Sequence, residues 1–236
     1  METTKDDWNE SMRLNNLGVQ YLLQGILKKA CQCFREAAEY NEKASYESSI
    51  DEFGVYANEW VSLSQAINIM HEEPFRPSVL SIGHKIQEDT FFSDTDRRKY
   101  VFTSRLDWII DFNLATALQL CGILLHDGSS LTQAYKLYDE MSTDVIEWND
   151  YSVSVDMAMF LMTIYQNQRI ICKLYQNEQL AVVLFLRIRH IQQSFNGMMV
   201  RPDCIVIDLN GVGSSLQQQI SLSTLLCKDD HCAPVA

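Results

Sequence analysis

The sequence predicts an all-α fold, and three observations point to it. Proline and glycine are scarce, with 4 and 9 copies in 236 residues, which favours helix over turn-rich β structure. Positions 1–73 and 78–201 contain no proline, so long helices are permitted there. Apolar residues also recur at helical spacing along several segments. Together these observations predict a series of amphipathic helices.

Helical periodicity divides the chain into hairpins, each made of two helices joined by a short turn. The parts are a first hairpin over 1–46, a linker over 47–106, two further hairpins over 107–195 and a C-terminal tail over 196–236. The individual helices are expected over about 8–24, 27–46, 108–126, 130–142, 151–175 and 179–195.

The linker is the least regular part. Its apolar residues Tyr56, Trp60, Leu63 and Ile67 have helical spacing, which predicts one possible helix over about 52–71. The segment 74–106 then begins with prolines that break a helix and continues with polar residues of mixed charge. A loop of that length is uncommon in a compact domain, so it is a candidate functional or disordered segment.

The tail differs in character from the helical parts. The run Cys204 to Leu209 reads as an extended apolar segment, and Asn210-Gly211 reads as a turn. We expect the tail to pack back on the helical array and to close an edge or a groove.

Charge and composition exclude several classes of protein. Hydrophobic residues make up 47% of the chain and charged residues 21%, which is an ordinary globular composition. The net charge of −12 repels phosphate groups, so neither nucleic acid nor an anionic membrane is an expected partner. The apolar stretch 108–125 is interrupted by Asp111, Asn113 and Gln119, which favours a buried helix over a membrane span.

The N-terminal segment and the cysteines indicate an intracellular protein, cytoplasmic or nuclear. The first eight residues are polar and acidic and lack the apolar core of a secretory signal. The seven cysteines are an odd number, and reduced thiols fit them better than a disulfide framework. The histidines are scattered, and no cofactor or metal site is predicted.

A pattern of small and aromatic residues recurs in the hairpins. Gly18 and Ala30 are separated by 12 positions in the first hairpin, and Gly122 and Ala134 by the same interval in the second. Arg169 and Ala181 repeat the interval in the third hairpin, although arginine departs from the small-residue preference. The residues expected to pack the repeats are Leu17, Gly18, Tyr21, Ala30, Phe34, Gly122, Ala134, Tyr138, Ala181 and Phe185.

This pattern resembles the tetratricopeptide repeat (TPR), a family of antiparallel helical hairpins that stack into an α-solenoid. The segment Phe112-Asn113-Leu114-Ala115 leading into Gly122 is also similar to uncharacterised TPR-like proteins of diatoms. The resemblance implies that a peptide or a partner helix binds on a concave face lined by the first helix of each hairpin.

The residues expected on that face are amide-bearing or apolar. The subset of the family that clamps a terminal carboxylate uses cations, which a charge clamp requires, and no lysine or arginine occupies the corresponding positions here. The groove would suit an apolar helix or an extended chain held by side-chain amides. The candidate partner-binding residues are Asn15, Val19, Leu22, Gln119, Ile123, Gln166 and Ile170.

The sequence therefore predicts a protein-interaction scaffold or adaptor, not an enzyme, whose partner is a protein or a peptide. One alternative is an enzyme on a helical scaffold that uses the 74–106 loop or the tail. Another is a structural protein that self-associates, and a homo-oligomer is a reasonable secondary expectation because three repeats are the minimum for a stable array.

Overall fold

The structure is a computed structural model that describes residues 2–47, 55–69, 73–85, 102–148 and 155–196. The described chain is predominantly helical, as predicted, and its helices pack consecutively along the sequence. The helices are α1 (Glu2–Leu23), α2 (Leu27–Glu47), α3 (Leu106–Leu124), α4 (Gly128–Trp148), α5 (Val155–Leu174) and α6 (Glu178–Asn196).

The helices form the three predicted hairpins, α1–α2, α3–α4 and α5–α6. The predicted range 27–46 for the second helix differs by one residue from the observed end of α2 at Glu47. Gly25 turns the first hairpin with a φ of 73°, a left-handed conformation that glycine adopts without a steric cost. Next to it, the Ile26 amide donates to the Tyr21 carbonyl at 2.8 Å, which closes the end of α1.

Two glycines lie where the paired helices approach each other closely. A Cβ on Gly18 would lie 2.6 Å from the ring of Phe34, and a Cβ on Gly122 would lie 2.3 Å from Cγ of Leu131. The glycines are therefore needed because a large buried side chain of the next helix fills the space beside each one.

The described residues between α2 and α3 form five strands, where the prediction was an irregular linker. They are β1 (Val55–Ser62), β2 (Ile67–Ile69), β3 (Glu73–Phe75), β4 (Ser78–Lys85) and β5 (Phe102–Arg105). A three-stranded antiparallel sheet has the order β4-β1-β5, and β2 pairs with β3 in a separate antiparallel ribbon.

The predicted helix over 52–71 is wrong, because that segment holds β1 and β2. The helical spacing of Tyr56, Trp60 and Ile67 is coincidental. β1 is paired along one side with β4, where Trp60 lies opposite Leu80, and along the other with β5. β-branched and aromatic residues suit such a paired, half-buried surface, and the long-range pairing decides the conformation.

The three-stranded sheet covers the face formed by the first helices of the hairpins. β4 packs against α1 and α3, and β5 packs against α3 and α5. In β1, the Trp60 ring meets Phe112 of α3 at 5.4 Å and Phe160 of α5 at 6.5 Å between centroids. The face that the TPR resemblance assigns to a partner is therefore occupied by the chain itself.

α3 is the central helix of the fold. By length and composition it could cross a membrane, yet 83% of its most apolar window is buried inside the protein. It contacts α2, α4, α1, α5 and the sheet, and its buried side chains include Trp108, Ile109 and Phe112. That burial is what the core helix of a folded domain shows, and it matches the interpretation of this stretch as a buried helix.

Part of the expected linker and tail falls outside the described residues. The stretch 86–101 of the 74–106 loop is outside them, while 73–85 and 102–105 form strands. The expected packing of the tail, including the run 204–209, also lies outside the described residues.

Candidate functional site

The predicted partner-binding residues lie mostly inside the protein. Asn15 and Gln119 are fully buried, and Ile123 and Gln166 are half-buried. The prediction that these residues form an open surface is wrong, because the sheet and the neighbouring helices cover the first helices. The residues found buried are Asn15, Val19, Leu22, Gln119 and Ile170.

Side-chain amides of α1 and α3 nevertheless form hydrogen bonds with the backbone of an extended segment, which is β4. Asn113 of α3 forms a two-way contact with the backbone of Leu80: its Oδ1 accepts from the Leu80 amide at 2.7 Å, and its Nδ2 donates to the Leu80 carbonyl at 2.7 Å. Asn113 Nδ2 also donates to Oδ1 of Asn15 at 2.8 Å. Asn15 Nδ2 in turn donates to the Leu80 backbone carbonyl at 3.2 Å.

Asn16 of α1 repeats this contact two residues further along β4. Its Oδ1 accepts from the Ile82 amide at 2.9 Å, and its Nδ2 donates to the Ile82 carbonyl at 3.0 Å. A side-chain amide carries one acceptor and two donors, so it can pair with a peptide group as a neighbouring strand would. Asn15, Asn16 and Asn113 are called the amide clamp below.

The amide clamp completes the hydrogen bonding of β4. In an antiparallel pair, every second residue directs its N–H and C=O away from the partner strand. Leu80 and Ile82 are such residues, and the clamp satisfies both on the side opposite β1. A buried backbone group without a partner would be costly, so the clamp lets β4 be an edge strand of its sheet and still lie against the helices.

A second buried polar cluster joins α3, α4 and α5. The Tyr138 hydroxyl donates to Oε1 of Gln119 at 3.1 Å, accepts from Nδ2 of Asn167 at 2.9 Å and lies 3.0 Å from the Thr116 hydroxyl. Burial raises the pKa of Tyr138 above its usual range, so the hydroxyl stays protonated. The cluster fixes Gln119 inside the core, which removes it from any partner surface.

Tyr138→Phe is expected to lower the free energy of unfolding by about 2 kcal/mol, because Gln119 and Asn167 each lose a buried partner. Urea unfolding monitored by circular dichroism measures the change. Tyr175→Phe is the matched control: Tyr175 is exposed and donates to the Gly128 carbonyl at 2.8 Å. Water can replace that bond, so a change below about 0.5 kcal/mol is expected for the control. Equal effects of the two variants would contradict the role of the cluster.

The third hairpin departs from the first at the position of its small residue. Arg169 stands where Gly18 stands in α1, and its guanidinium lies 5.1 Å from the centre of the Phe185 ring. Phe185 corresponds to the fully buried Phe34, yet it is 40% exposed. Phe185 is therefore not buried in its hairpin as Phe34 is, contrary to the prediction that it packs the repeat. The physical difference is that a long charged side chain, and not a glycine, faces the ring of Phe185.

The last helix carries an exposed apolar surface. Val182, Phe185 and Leu186 are 54%, 40% and 53% exposed, and their spacing places them on one side of α6. These three residues are called the α6 outer face below. The opposite side of the helix packs on α5 through Ala181, Leu184 and Ile188, which are buried.

Two arginines lie beside Phe185 of the α6 outer face. Arg169 of α5 and Arg189 of α6 both lie over the Phe185 ring, at 5.1 and 5.8 Å from its centre. Cation–π contacts of this kind hold a guanidinium beside an apolar surface, so the face combines apolar area with local positive charge.

Sequence reasoning missed this surface, although a signal was present. Around Phe185 the helix has apolar residues on two sides, since Val182 and Leu186 do not belong to the stripe of Ala181, Leu184 and Ile188. An amphipathic helix at the end of an array needs only one apolar side. The second stripe therefore indicates a surface that something else covers.

Asp111 of α3 is the described carboxylate with the most perturbed acidity. Burial raises its pKa to about 7, and the negative charges of Asp107, Glu140 and Asp144 act in the same direction. All of these neighbours are acids, so the group has no cationic partner among the causes of its shift. A charged Asp111 therefore destabilises the fold.

Asp111→Asn is expected to raise the free energy of unfolding by about 2 kcal/mol at pH 8 and by much less at pH 4.5. The folded pKa is raised to about 7, so between about pH 4 and 7 the native protein holds a proton that the unfolded chain releases. The free energy of unfolding therefore falls as the pH rises through this window and is regained as the pH falls through it. Urea unfolding of both proteins at the two pH values tests this. A pH-independent difference, or a less stable variant at pH 8, would contradict it.

The described cysteines are buried free thiols, in line with the expected reduced state. The sulfurs of Cys31 and Cys121 lie 3.8 Å apart, which brings α2 of the first hairpin against α3 of the second. The hydrogen bond to Cys121 and burial raise the pKa of the Cys31 thiol, so this thiol stays protonated. Cys31 and Cys121 therefore lie at the contact between the first and the second hairpin.

Within the part of the chain that the structure describes, no group of three or more His, Cys, Asp or Glu side chains is placed to hold a metal ion. Comparisons with known proteins find no matching family model, no matching curated protein and no matching solved structure. The resemblance to the TPR family therefore remains a prediction from the residues themselves.

Proposed function

We propose that this chain is an intracellular protein-interaction scaffold and not an enzyme. In this proposal the three hairpins form a short TPR-like α-solenoid. Its concave face holds β4 through the amide clamp, and the α6 outer face docks a protein or peptide partner. The observation that carries the proposal is the exposure of Val182, Phe185 and Leu186 together on one side of the last helix.

The burial of the concave face supports the α6 outer face as the docking surface. Asn15 and Asn113 bind the β4 backbone with their side chains fully buried, so a peptide would have to displace a strand that also pairs with β1. The α6 outer face is already exposed. Exposed apolar side chains that are grouped together on a folded protein are a typical feature of an interaction site.

The surroundings of the α6 outer face define the chemistry of the partner. Burial of three apolar side chains supplies the association energy, on the order of 25 cal/mol per Å² of apolar area. Arg169 and Arg189 at the Phe185 ring favour carboxylates next to the apolar residues of the partner, which adds specificity. We therefore propose an apolar segment flanked by aspartate or glutamate.

A homo-oligomer through the same face is the second candidate, favoured by the apolar surface alone. Charge acts against it. Two copies would bring Arg169 and Arg189 of one face against those of the other, and each chain carries a net charge of −12. Like charges at an interface disfavour association.

A peptide titration tests the proposal. Three fluorescein-labelled peptides of about twelve residues each carry three leucines at alternate positions. The residues that flank the leucines are aspartates in the first peptide, lysines in the second and serines in the third. Protein is titrated into each peptide, and binding is measured by fluorescence anisotropy. The aspartate-flanked peptide is expected to bind with a Kd of about 10 µM. Val182→Gln combined with Leu186→Gln is expected to weaken that binding about tenfold or more.

The control variant is Tyr40→Gln, which changes a similarly exposed apolar residue on α2 of the first hairpin. It should leave the affinity unchanged. Equal binding of the three peptides, or equal loss of binding in the two variants, would show that the α6 outer face is not a selective docking surface. The proposal would be overturned if no peptide bound to the unmodified protein and none bound to the Ile205→Asp, Ile207→Asp variant that is described below.

A further inference from the structure

We propose that residues 203–209 of the chain's own tail occupy the α6 outer face until a partner displaces them. This rests on the proposed function in that it takes the α6 outer face as a docking surface. It adds a resident occupant, and therefore a means by which the chain limits its own partner binding.

The tail begins where it can reach this surface. It continues directly from Asn196 at the end of α6, and Phe185 lies eleven residues back along the helix, about 16 Å at 1.5 Å per residue. The connecting residues 197–202 span up to about 20 Å when extended. The tail can therefore turn back and place position 203 beside the end of the α6 outer face that is nearest Arg189.

The chemistry of the segment matches that of the surface. In an extended conformation, successive side chains alternate between two faces, so Asp203, Ile205, Ile207 and Leu209 share one face. That face is apolar with a carboxylate at its first position. The Asp203 carboxylate on this face complements Arg169 and Arg189 at the Phe185 ring, and the segment contains no basic residue.

Covalent connection favours this occupant over a second copy of the chain. A tethered segment is present at an effective concentration on the order of millimolar, while a free chain at micromolar concentration must also overcome the repulsion of its net charge of −12. A segment with modest intrinsic affinity would therefore stay bound. An external partner can displace the segment only if its concentration divided by its Kd exceeds the effective concentration of the tail divided by the Kd of the tail segment.

A photo-crosslinking experiment on the full chain tests the occupant. The reactive residue is introduced as Leu186→p-benzoylphenylalanine, at a side chain that is 53% exposed and so tolerates the change. The purified protein is irradiated, digested and analysed by mass spectrometry. We expect crosslinks within one chain between α6 and the peptide that contains residues 203–209. Tyr40→p-benzoylphenylalanine is the control, and it should not react with that peptide.

Two outcomes would overturn the inference. Crosslinked dimers through position 186 would identify a second copy as the occupant, and crosslinks only to other segments would show that the tail lies elsewhere. The double variant Ile205→Asp with Ile207→Asp gives an independent readout. It should abolish the tail crosslink and strengthen binding of the aspartate-flanked peptide about tenfold, because the competing segment is removed.

The failures of the two proposals are distinguishable. A tail crosslink without peptide binding by the Ile205→Asp, Ile207→Asp variant would support the resident tail and contradict a docking surface for other proteins. Peptide binding that depends on Val182 and Leu186, without a tail crosslink in the full chain, would support the docking surface and overturn the resident tail.

Discussion

Asn113→Ala is expected to lower the free energy of unfolding by about 4 kcal/mol, a loss that removes most of the stability of an ordinary domain. The Asn113 side chain makes three hydrogen bonds inside the protein, two with Leu80 and one with Asn15. Its removal leaves the Leu80 amide and the Asn15 Oδ1 without these partners in a fully buried environment, and each such group costs about 1–3 kcal/mol.

The matched control is Asn16→Ala, in the same clamp. Asn16 makes the equivalent pair of bonds with Ile82 but is only half-buried. Water can reach the vacated position, so the expected loss is about 1 kcal/mol. Urea unfolding of both variants measures the difference. Similar small losses for the two variants would mean that Asn113 does not hold β4 as described.

Gly18→Val is expected to lower the free energy of unfolding by about 3 kcal/mol, because the space beside Gly18 is filled by the ring of Phe34. A Cβ alone would lie 2.6–2.9 Å from three atoms of that ring, and the ring is fully buried and cannot swing out without disturbing the core. The added side chain therefore pushes α1 and α2 apart. Urea unfolding measures the loss.

Gly128→Val is the control for this prediction. A Cβ on Gly128 would meet only the Tyr175 hydroxyl, at 3.9 Å, so a change within about 0.5 kcal/mol is expected. A second test uses Phe34→Ala. This substitution should cost less in the Gly18→Val background than alone, since the two positions share one space. Additive losses would contradict the close packing of the first hairpin.

The helices were predictable from the sequence because their signal is local. Apolar residues that repeat every three to four positions, without interrupting proline, define a helix from its own sequence. This is why the predicted range 27–46 nearly coincides with α2 at Leu27–Glu47. The predicted range 108–126 likewise lies close to α3 at Leu106–Leu124, where most residues are apolar.

The sheet was not predictable in the same way. β1 is a strand because β4 and β5 pair with it, and the residues opposite Trp60 and Asn58 are Leu80 and Ile82. Leu80 lies 20 residues after Trp60 and Ile82 lies 24 residues after Asn58, and a conformation decided by such distant partners leaves a weak local signal. Helical spacing at Tyr56 and Trp60 was therefore enough to suggest a helix where the structure has a strand.

The candidate site was predictable in its chemistry but not in its occupant. The sequence indicates amides in the groove, and Asn15 does hold an extended chain there. The occupant is β4, and the amide that holds it most firmly is Asn113, which the sequence marks only as a polar residue inside an apolar stretch. The periodicity of apolar residues is a local signal, so it does not predict which distant segment will form hydrogen bonds with a given side-chain amide.

The central claim is that side-chain amides of α1 and α3 hold the backbone of β4 against the helices. Amide hydrogen exchange measured by NMR at Leu80 and Ile82 tests it most directly, since their N–H groups donate to Asn113 and Asn16. We expect the Leu80 amide to exchange as slowly as the core of α3, and to lose that protection in Asn113→Ala under conditions where the helices stay folded. Rapid exchange at Leu80 and Ile82 in the unmodified protein would contradict the claim.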